Sequence, residues 1–195
     1  QGCRILDLGS GTGRMPLLLQ HLSEKITAVD LNYPMLEEQK IQQNVFPQKW
    51  PLINADMRFL PFPSNSADVI TAGWAIGHLR GWYEHDWKDQ ICKILREMKR
   101  VVVNKGTLII METLSTGSLK PQPPTAGLGE LYQWFEREWG FSKKKISTDY
   151  LFENLEDAIN KTEFFFGPEL TQLIRKHNWV RLPEWTGIWS MKVEK

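Results

Sequence analysis

The sequence predicts an α/β protein built on a parallel sheet. Short apolar runs alternate with helix-length amphipathic segments, a glycine-rich loop joins the first run to the first helix, and an acidic residue closes the second run. Residues 4–8 form the first buried-strand candidate and residues 9–13 a tight loop. Pro16 then sits near the start of a helix whose Leu17, Leu18 and Leu22 are expected to share a buried face. Residues 25–30 read as the second strand, and residues 34–44 as a helix that is polar except for Met35, Leu36 and Ile41. Leu52 and Ile53 suggest a short third strand. The prolines and serines of residues 61–66 interrupt regular structure before a fourth strand at residues 68–72. A helix over residues 87–102 places Ile91, Ile94, Leu95 and Met98 at core spacing, and Lys105-Gly106 turns the chain into a fifth strand at residues 107–111.

Beyond Glu112 the pattern changes. Residues 115–125 are rich in Ser, Gly and Pro, and an aromatic stretch with Tyr132, Trp134, Phe135, Trp139 and Phe141 follows. This predicts an inserted lid over about residues 115–165. Helices are expected at residues 155–165 and 168–177, the second opened by Pro168, and then two closing strands at residues 179–183 and 187–193 joined by a short turn. The whole reads as one domain over residues 1–195: a ligand-binding half (1–112), the lid, and the closing elements (168–195).

Composition narrows the partners. With 195 residues, 42% hydrophobic and 24% charged, the chain has enough apolar surface for one soluble core. A formal net charge of +1 offers no global field for nucleic acid or an anionic membrane. No apolar run is long enough to span a bilayer, and no leader pattern precedes the first strand. Cys3 and Cys92 lie far apart and beside no histidine, so neither a disulfide framework nor a metal site is indicated, and a cytoplasmic setting is expected.

The central signal is Asp7-Leu8-Gly9-Ser10-Gly11-Thr12-Gly13 between strand and helix, with Asp30 at the tip of the next strand. A ligand docking on the carboxyl end of a parallel sheet needs backbone without Cβ atoms in its way, and a helix start offers free N–H groups to an anion. Asp30 is placed to accept both hydroxyls of a ribose. A dinucleotide fingerprint requires glycine at its sixth position, where this chain has Arg14, so NAD and FAD are disfavoured.

The loop instead resembles motif I of class I S-adenosylmethionine-dependent methyltransferases. The likeness continues through Val29-Asp30-Leu31, through Asn54-Ala55-Asp56-Met57 with Leu60-Pro61-Phe62, through residues 67–70 and through residues 95–101, in the manner of the ubiquinone/menaquinone-biosynthesis branch. It covers roughly residues 3–112. One departure is Asn104-Lys105-Gly106-Thr107 where the family usually has Pro-Gly-Gly; the remaining glycine keeps the turn.

The resemblance implies a Rossmann-like α/β fold with a seven-stranded, mostly parallel sheet, an antiparallel last strand and a lid after strand 5. It also implies S-adenosyl-L-methionine as cofactor. Asp7, Gly9, Ser10, Gly11, Thr12, Gly13, Asp30, Leu31, Asp56, Met57 and Trp74 are then the residues that hold it: Asp7 supports the methionine end and Asp56 the adenine amine. Ser10 and Arg14 also admit a plainer reading, as solvent-facing neighbours of the loop.

Methyl transfer is an in-line displacement that depends on alignment, and an acceptor that keeps its proton at neutral pH benefits from a base. His78, just beyond the fourth strand with Tyr83, His85 and Asp86 nearby, is the candidate, with a structural hydrogen bond as its alternative. Tyr132 and Trp134 are expected either to line an acceptor pocket or to serve as ordinary core aromatics. The Lys143-Lys144-Lys145 run reads as a solvated loop. The expected activity is methylation of a small-molecule acceptor. A non-catalytic module or partner subunit that holds the cofactor is the alternative, and near-neutral charge counts against RNA as acceptor.

Overall fold

A computed structural model describes residues 2–23 and 25–195, the side chain of Phe165 apart. Five strands run in parallel: β1 (Arg4–Leu8), β2 (Lys25–Asp30), β3 (Leu52–Asn54), β4 (Ala67–Gly73) and β5 (Val102–Thr116). Their connections carry α1 (Arg14–Leu19), α2 (Tyr33–Gln43), α3 (Gly77–Trp82) and α4 (Trp87–Val101). After β5 come α5 (Ala126–Arg137), β6 (Ser142–Ser147), β7 (Tyr150–Leu151), α6 (Leu155–His177), β8 (Arg181–Leu182) and β9 (Glu184–Lys192). The main sheet has seven strands in the order β3-β2-β1-β4-β5-β9-β6, with β9 antiparallel to both of its neighbours. The sheet is thus mostly parallel with an antiparallel closing strand, as the sequence predicted. Strand order reverses beside β1, which makes the carboxyl ends of β1 and β4 the crevice where a ligand meets the sheet.

The core follows from α4, whose Ile91, Ile94, Leu95 and Met98 are fully buried against Leu8, Ile70, Leu108 and Ile110. Other faces differ from expectation. The first helix ends at Leu19, so it buries Met15 and Pro16 while Leu18 and Leu22 are 60% and 75% exposed. In α2 the buried row is Leu36, Gln39 and Gln43, and Met35 and Ile41 face outward. The amides are turned inward because they satisfy backbone and indole groups there. Gln43 bonds the Trp50 backbone on both sides, its Oε1 accepting from Trp50 N (3.1 Å) and its Nε2 donating to Trp50 O (3.3 Å).

The fifth strand runs past residue 111 to Thr116, since Leu108, Ile110, Glu112 and Leu114 keep alternating inward while β9 pairs alongside. Much of the expected lid belongs to the body. α5 buries Leu131, Tyr132 and Phe135, with Tyr132 and Phe135 against Trp189 of β9 at ring-centre distances of 4.5 and 6.0 Å. Gly187 leaves room for that indole, because a Cβ there would lie 2.4 Å from it. The lysine run forms the edge strand β6, where Lys143 pairs with Glu136 (3.1 Å) and lies over the Trp189 ring (4.9 Å). Lys144 and Lys145 are exposed there, charges that suit an unpaired edge.

Gly167, at φ 73°, breaks α6 just before Pro168, as the sequence indicated. The closing strands do not form a hairpin. β8 pairs with β7 in a separate two-stranded sheet, because Leu182 is buried in its own cluster with Ala158, Ile159, Leu170 and Ile174. Among the described residues no helix is long and apolar enough to cross a membrane.

Trp189 joins β9, α5 and β6 and is wholly buried. Trp189→Ala is expected to cost about 3–5 kcal/mol in urea unfolding, the range for deleting a core aromatic. A loss under about 1 kcal/mol would mean that α5 and β9 do not share one core.

Candidate cofactor and acceptor site

The loop after β1 is held by three left-handed glycines, Gly9 (φ 64°), Gly11 (φ 53°) and Gly13 (φ 99°). A Cβ on Gly9 would sit 2.4 Å from the Ala75 Cβ, so only glycine permits this approach of the loop to the segment after β4. Ser10 N donates to Val29 O (3.0 Å), and Gly11 N donates to Asp30 Oδ2 (2.7 Å). Ser10 is buried rather than solvent-facing. The Gln39 amide, itself fully buried, donates to Ser10 Oγ (3.0 Å) and Gly11 O (2.9 Å), and its oxygen accepts the Trp50 indole N–H (2.7 Å). Thr12 is exposed at the turn.

Asp30 receives Gly11 N on one oxygen and Asn32 N (2.7 Å) on the other, so each oxygen keeps a lone-pair direction for a further donor. Beside it, Leu31 is 62% exposed, an apolar surface at the strand tip. Met57 is half-buried and reaches toward Gly9. Asp56 departs from expectation. Its two oxygens take the backbone N–H, Nε and Nη2 of Arg58, the last at 2.6 Å, and Arg58 in turn donates to Tyr83 Oη (3.0 Å) and Gln90 Oε1 (2.8 Å). The acid expected at the adenine amine is thus already paired with this arginine.

Asp7 lies beneath the loop at 1% exposure. Thr71 Oγ1 donates to its Oδ1 (2.6 Å), while Oδ2 has no partner. Burial pushes its carboxyl up to about 7, against the Thr71 hydrogen bond and with added repulsion from Asp30. An unpaired buried acceptor oxygen at the carboxyl end of β1 fits the ammonium of a bound amino-acid moiety.

A cavity of about 470 Å³ opens beside the loop, walled by Arg14, Trp74, Thr113, Tyr150, Phe166 and Glu184 among others. Trp74 holds a left-handed backbone (φ 52°), and the Arg14 guanidinium lies 4.2 Å from its ring centre. His78 is elsewhere. It is exposed on α3, stacked on Trp82 (5.4 Å), and lines a separate depression with Arg80, Glu84 and Leu128. Tyr132 does not reach the cavity either. It is 1% exposed and donates its hydroxyl proton to Thr113 O (2.8 Å), while Trp134 is half-buried against Trp87 and Trp139. Both pack into the body of the protein, Tyr132 against Trp189 of β9 and Trp134 against Trp87 of α4.

Two buried acids went unread in the sequence. Glu112, near the end of β5, accepts from Gly77 N (2.7 Å) and Ile76 N, and burial raises its carboxyl to about 7. It continues the inward alternation of β5, a signal open to sequence reading. Glu184, between Pro183 and Trp185, carries no such signal.

The profile of the methyltransferase-domain family matches residues 6–110, and the chain belongs to that family. A malonyl-[acyl-carrier protein] O-methyltransferase of Legionella pneumophila is 33% identical over 54% of this chain and 34% of its own length. A demethylmenaquinone methyltransferase of Thermus thermophilus is 27% identical over 85% of this chain and 69% of its own length. The chain therefore spans between a third and about two thirds of these relatives. Among solved structures, an S-adenosylmethionine-dependent methyltransferase from Aquifex aeolicus superposes with a TM-score of 0.59 at 18% identity, covering 99% of this chain and 84% of that one. The [4+2]-cyclase SpnF superposes with a TM-score of 0.60 at 16% identity, covering 99% and 76%. These likenesses establish the fold, and SpnF is a reminder that one fold hosts several chemistries.

The Asp7 carboxyl sets a pH dependence. Folded, it keeps its proton up to about 7, whereas its ordinary value is 3.8, so between these values the folded state binds the extra proton. Its contribution is complete below about pH 4 and is lost as pH rises through 7. Asp7→Asn is expected to remove a decline of roughly 3–4 kcal/mol between pH 4 and 8, measured as the difference in urea stability between the two proteins. Parallel pH profiles would show the Asp7 carboxyl in contact with water.

Proposed function

We propose that this chain is an S-adenosylmethionine-dependent methyltransferase acting on a small-molecule acceptor held in the cavity between Arg14, Trp74 and Glu184. The observation that carries this reading is the loop itself: three left-handed glycines at the switch point of the sheet, with Asp30 at their side and Asp7 Oδ2 unpaired below. Asp30 would take the ribose hydroxyls on its free lone pairs. Gly9, Ser10, Gly11, Thr12 and Gly13 would line the methionine end above Asp7, Leu31 and Met57 would face the adenine, and Trp74 would flank the sulfonium side. Asp56 would act through Arg58, as a neighbour of the adenine cleft. When bound, S-adenosylmethionine supplies an electrophilic methyl group, and the protein's task is to align an acceptor atom with it and keep water out.

The two named relatives act by their names on malonyl-[acyl-carrier protein] and on demethylmenaquinone, two different acceptors, so the acceptor does not carry over from them. The aromatic walls Trp74, Tyr150 and Phe166 support a planar or apolar acceptor body. Within residues 115–165, only the stretch before α5 and the β7–α6 layer remain free of the main sheet to cover it. Free Cys3 and Cys92 accord with a cytoplasmic setting.

Calorimetric titration with S-adenosylmethionine and S-adenosylhomocysteine tests the assignment. Micromolar binding is expected, weakened roughly 100-fold in Asp30→Ala, about 3 kcal/mol for hydrogen bonds to a charged group. Failure of the unmodified protein to bind either compound would sink the reading.

A further inference from the structure

We propose that Glu184 is the proton acceptor for the methyl acceptor, and that the cavity therefore takes a molecule presenting an O–H or N–H group. This rests on the methyltransferase reading above.

Glu184 opens β9 opposite Thr116 and lines the cavity. Its backbone is fixed at both ends of the residue: its N–H donates to Asp149 Oδ1 (3.1 Å), and its carbonyl accepts from Thr148 N (2.8 Å). The side chain is 4% exposed. The Thr116 hydroxyl donates to the carboxylate, but Oε2 is buried without any hydrogen-bond partner. A buried carboxylate oxygen without a donor is costly, and no lysine or arginine among the described residues stands within ion-pair distance to offset it. The Arg14 guanidinium shares the cavity but lies over Trp74. An acceptor with an X–H donor supplies the missing partner, whereas an acceptor carboxylate would meet like charge.

The groups facing Glu184 set its proton affinity. Burial raises it above the usual carboxylate range; Arg14 from the α1 side and the Thr116 hydroxyl oppose this, and Asp149 adds to it. The result is a base better matched to neutral pH than a solvated glutamate. In the step proposed, the X–H bond of the acceptor breaks and its proton goes to Oε2. The freed lone pair forms the bond to the methyl carbon as the carbon–sulfur pair leaves with sulfur. Among the described residues, neither of the other two buried acids nor His78 serves as well. Glu112 is satisfied by the N–H groups of Gly77 and Ile76, Asp7 lies beneath the loop, and His78 is outside the cavity.

The test uses three probes, phenol, benzylamine and benzoate, in saturation-transfer NMR on the protein with S-adenosylhomocysteine, with Glu184→Gln and Glu184→Asp in parallel. Phenol or benzylamine is expected to bind at least tenfold more tightly than benzoate. Glu184→Gln should weaken that binding about tenfold with S-adenosylhomocysteine affinity unchanged, and Glu184→Asp, which keeps the charge, should retain the order of the probes. Benzoate bound as tightly, an unaltered Glu184→Gln, or no binding of either X–H probe would each overturn the proposal. Loss of S-adenosylhomocysteine binding in the unmodified protein would instead count against the cofactor assignment, so the two failures are distinguishable.

Discussion

The hydrogen bond from Gly11 N to Asp30 Oδ2 is the contact on which the ligand cleft depends. It joins the turn after β1 to the tip of β2, and it forms only because three glycines let the backbone enter the left-handed region in quick succession. Gln39 props the same turn from below through Ser10 and Gly11, and Trp50 props Gln39. A helix that spends its inner face on glutamines rather than leucines gives up apolar burial for a fixed loop. The sheet supplies the rest, since β1 and β4 end together where strand order reverses.

Much of this was legible in the sequence. Periodicity located β1 to β4 and α4, Pro168 marked the break in α6, and the glycine loop with Asp30 carried the resemblance to the methyltransferase family. Legibility failed where tertiary contacts override local pattern. Leu18 and Leu22 look like core residues, but the helix has barely two turns: Leu18 projects from it and Leu22 lies in the turn beyond its end. Tyr132 and Trp134 belong to an aromatic stretch that follows a turn-rich segment and so suggests a lid, yet Trp189, more than fifty residues away, draws α5 onto the sheet. The lysines of β6 form a strand because β9 offers them a ladder, which no local propensity reveals.

The site shows the same division. Asp30 could be placed because a strand tip after a glycine loop has few uses. The family resemblance assigns Asp56 to the adenine amine, but its pairing with Arg58 could not be read, because Arg58 lies only two residues on and is held in place by Tyr83 and Gln90 from distant parts of the chain. Glu184 was invisible because its burial comes from the convergence of β5, β7 and α6 around one cavity. The acids whose carboxyls are raised, Asp7, Glu112 and Glu184, have no cationic partner at ion-pair distance among the described residues. The surface acids Asp68 and Asp149 are instead held low by Arg4 and by Ser147 with Arg181.

Trp74 joins these two regions. Its left-handed backbone is one that glycine adopts freely and a bulky residue only at a cost of about 1–3 kcal/mol. The indole is therefore retained against the preference of its own main chain, and what it returns lies outside the main chain: a wall beside the loop and a platform for Arg14. Stability and ligand handling pull in opposite directions at this one position. A glycine would relax the backbone here while removing both the wall and the platform for Arg14.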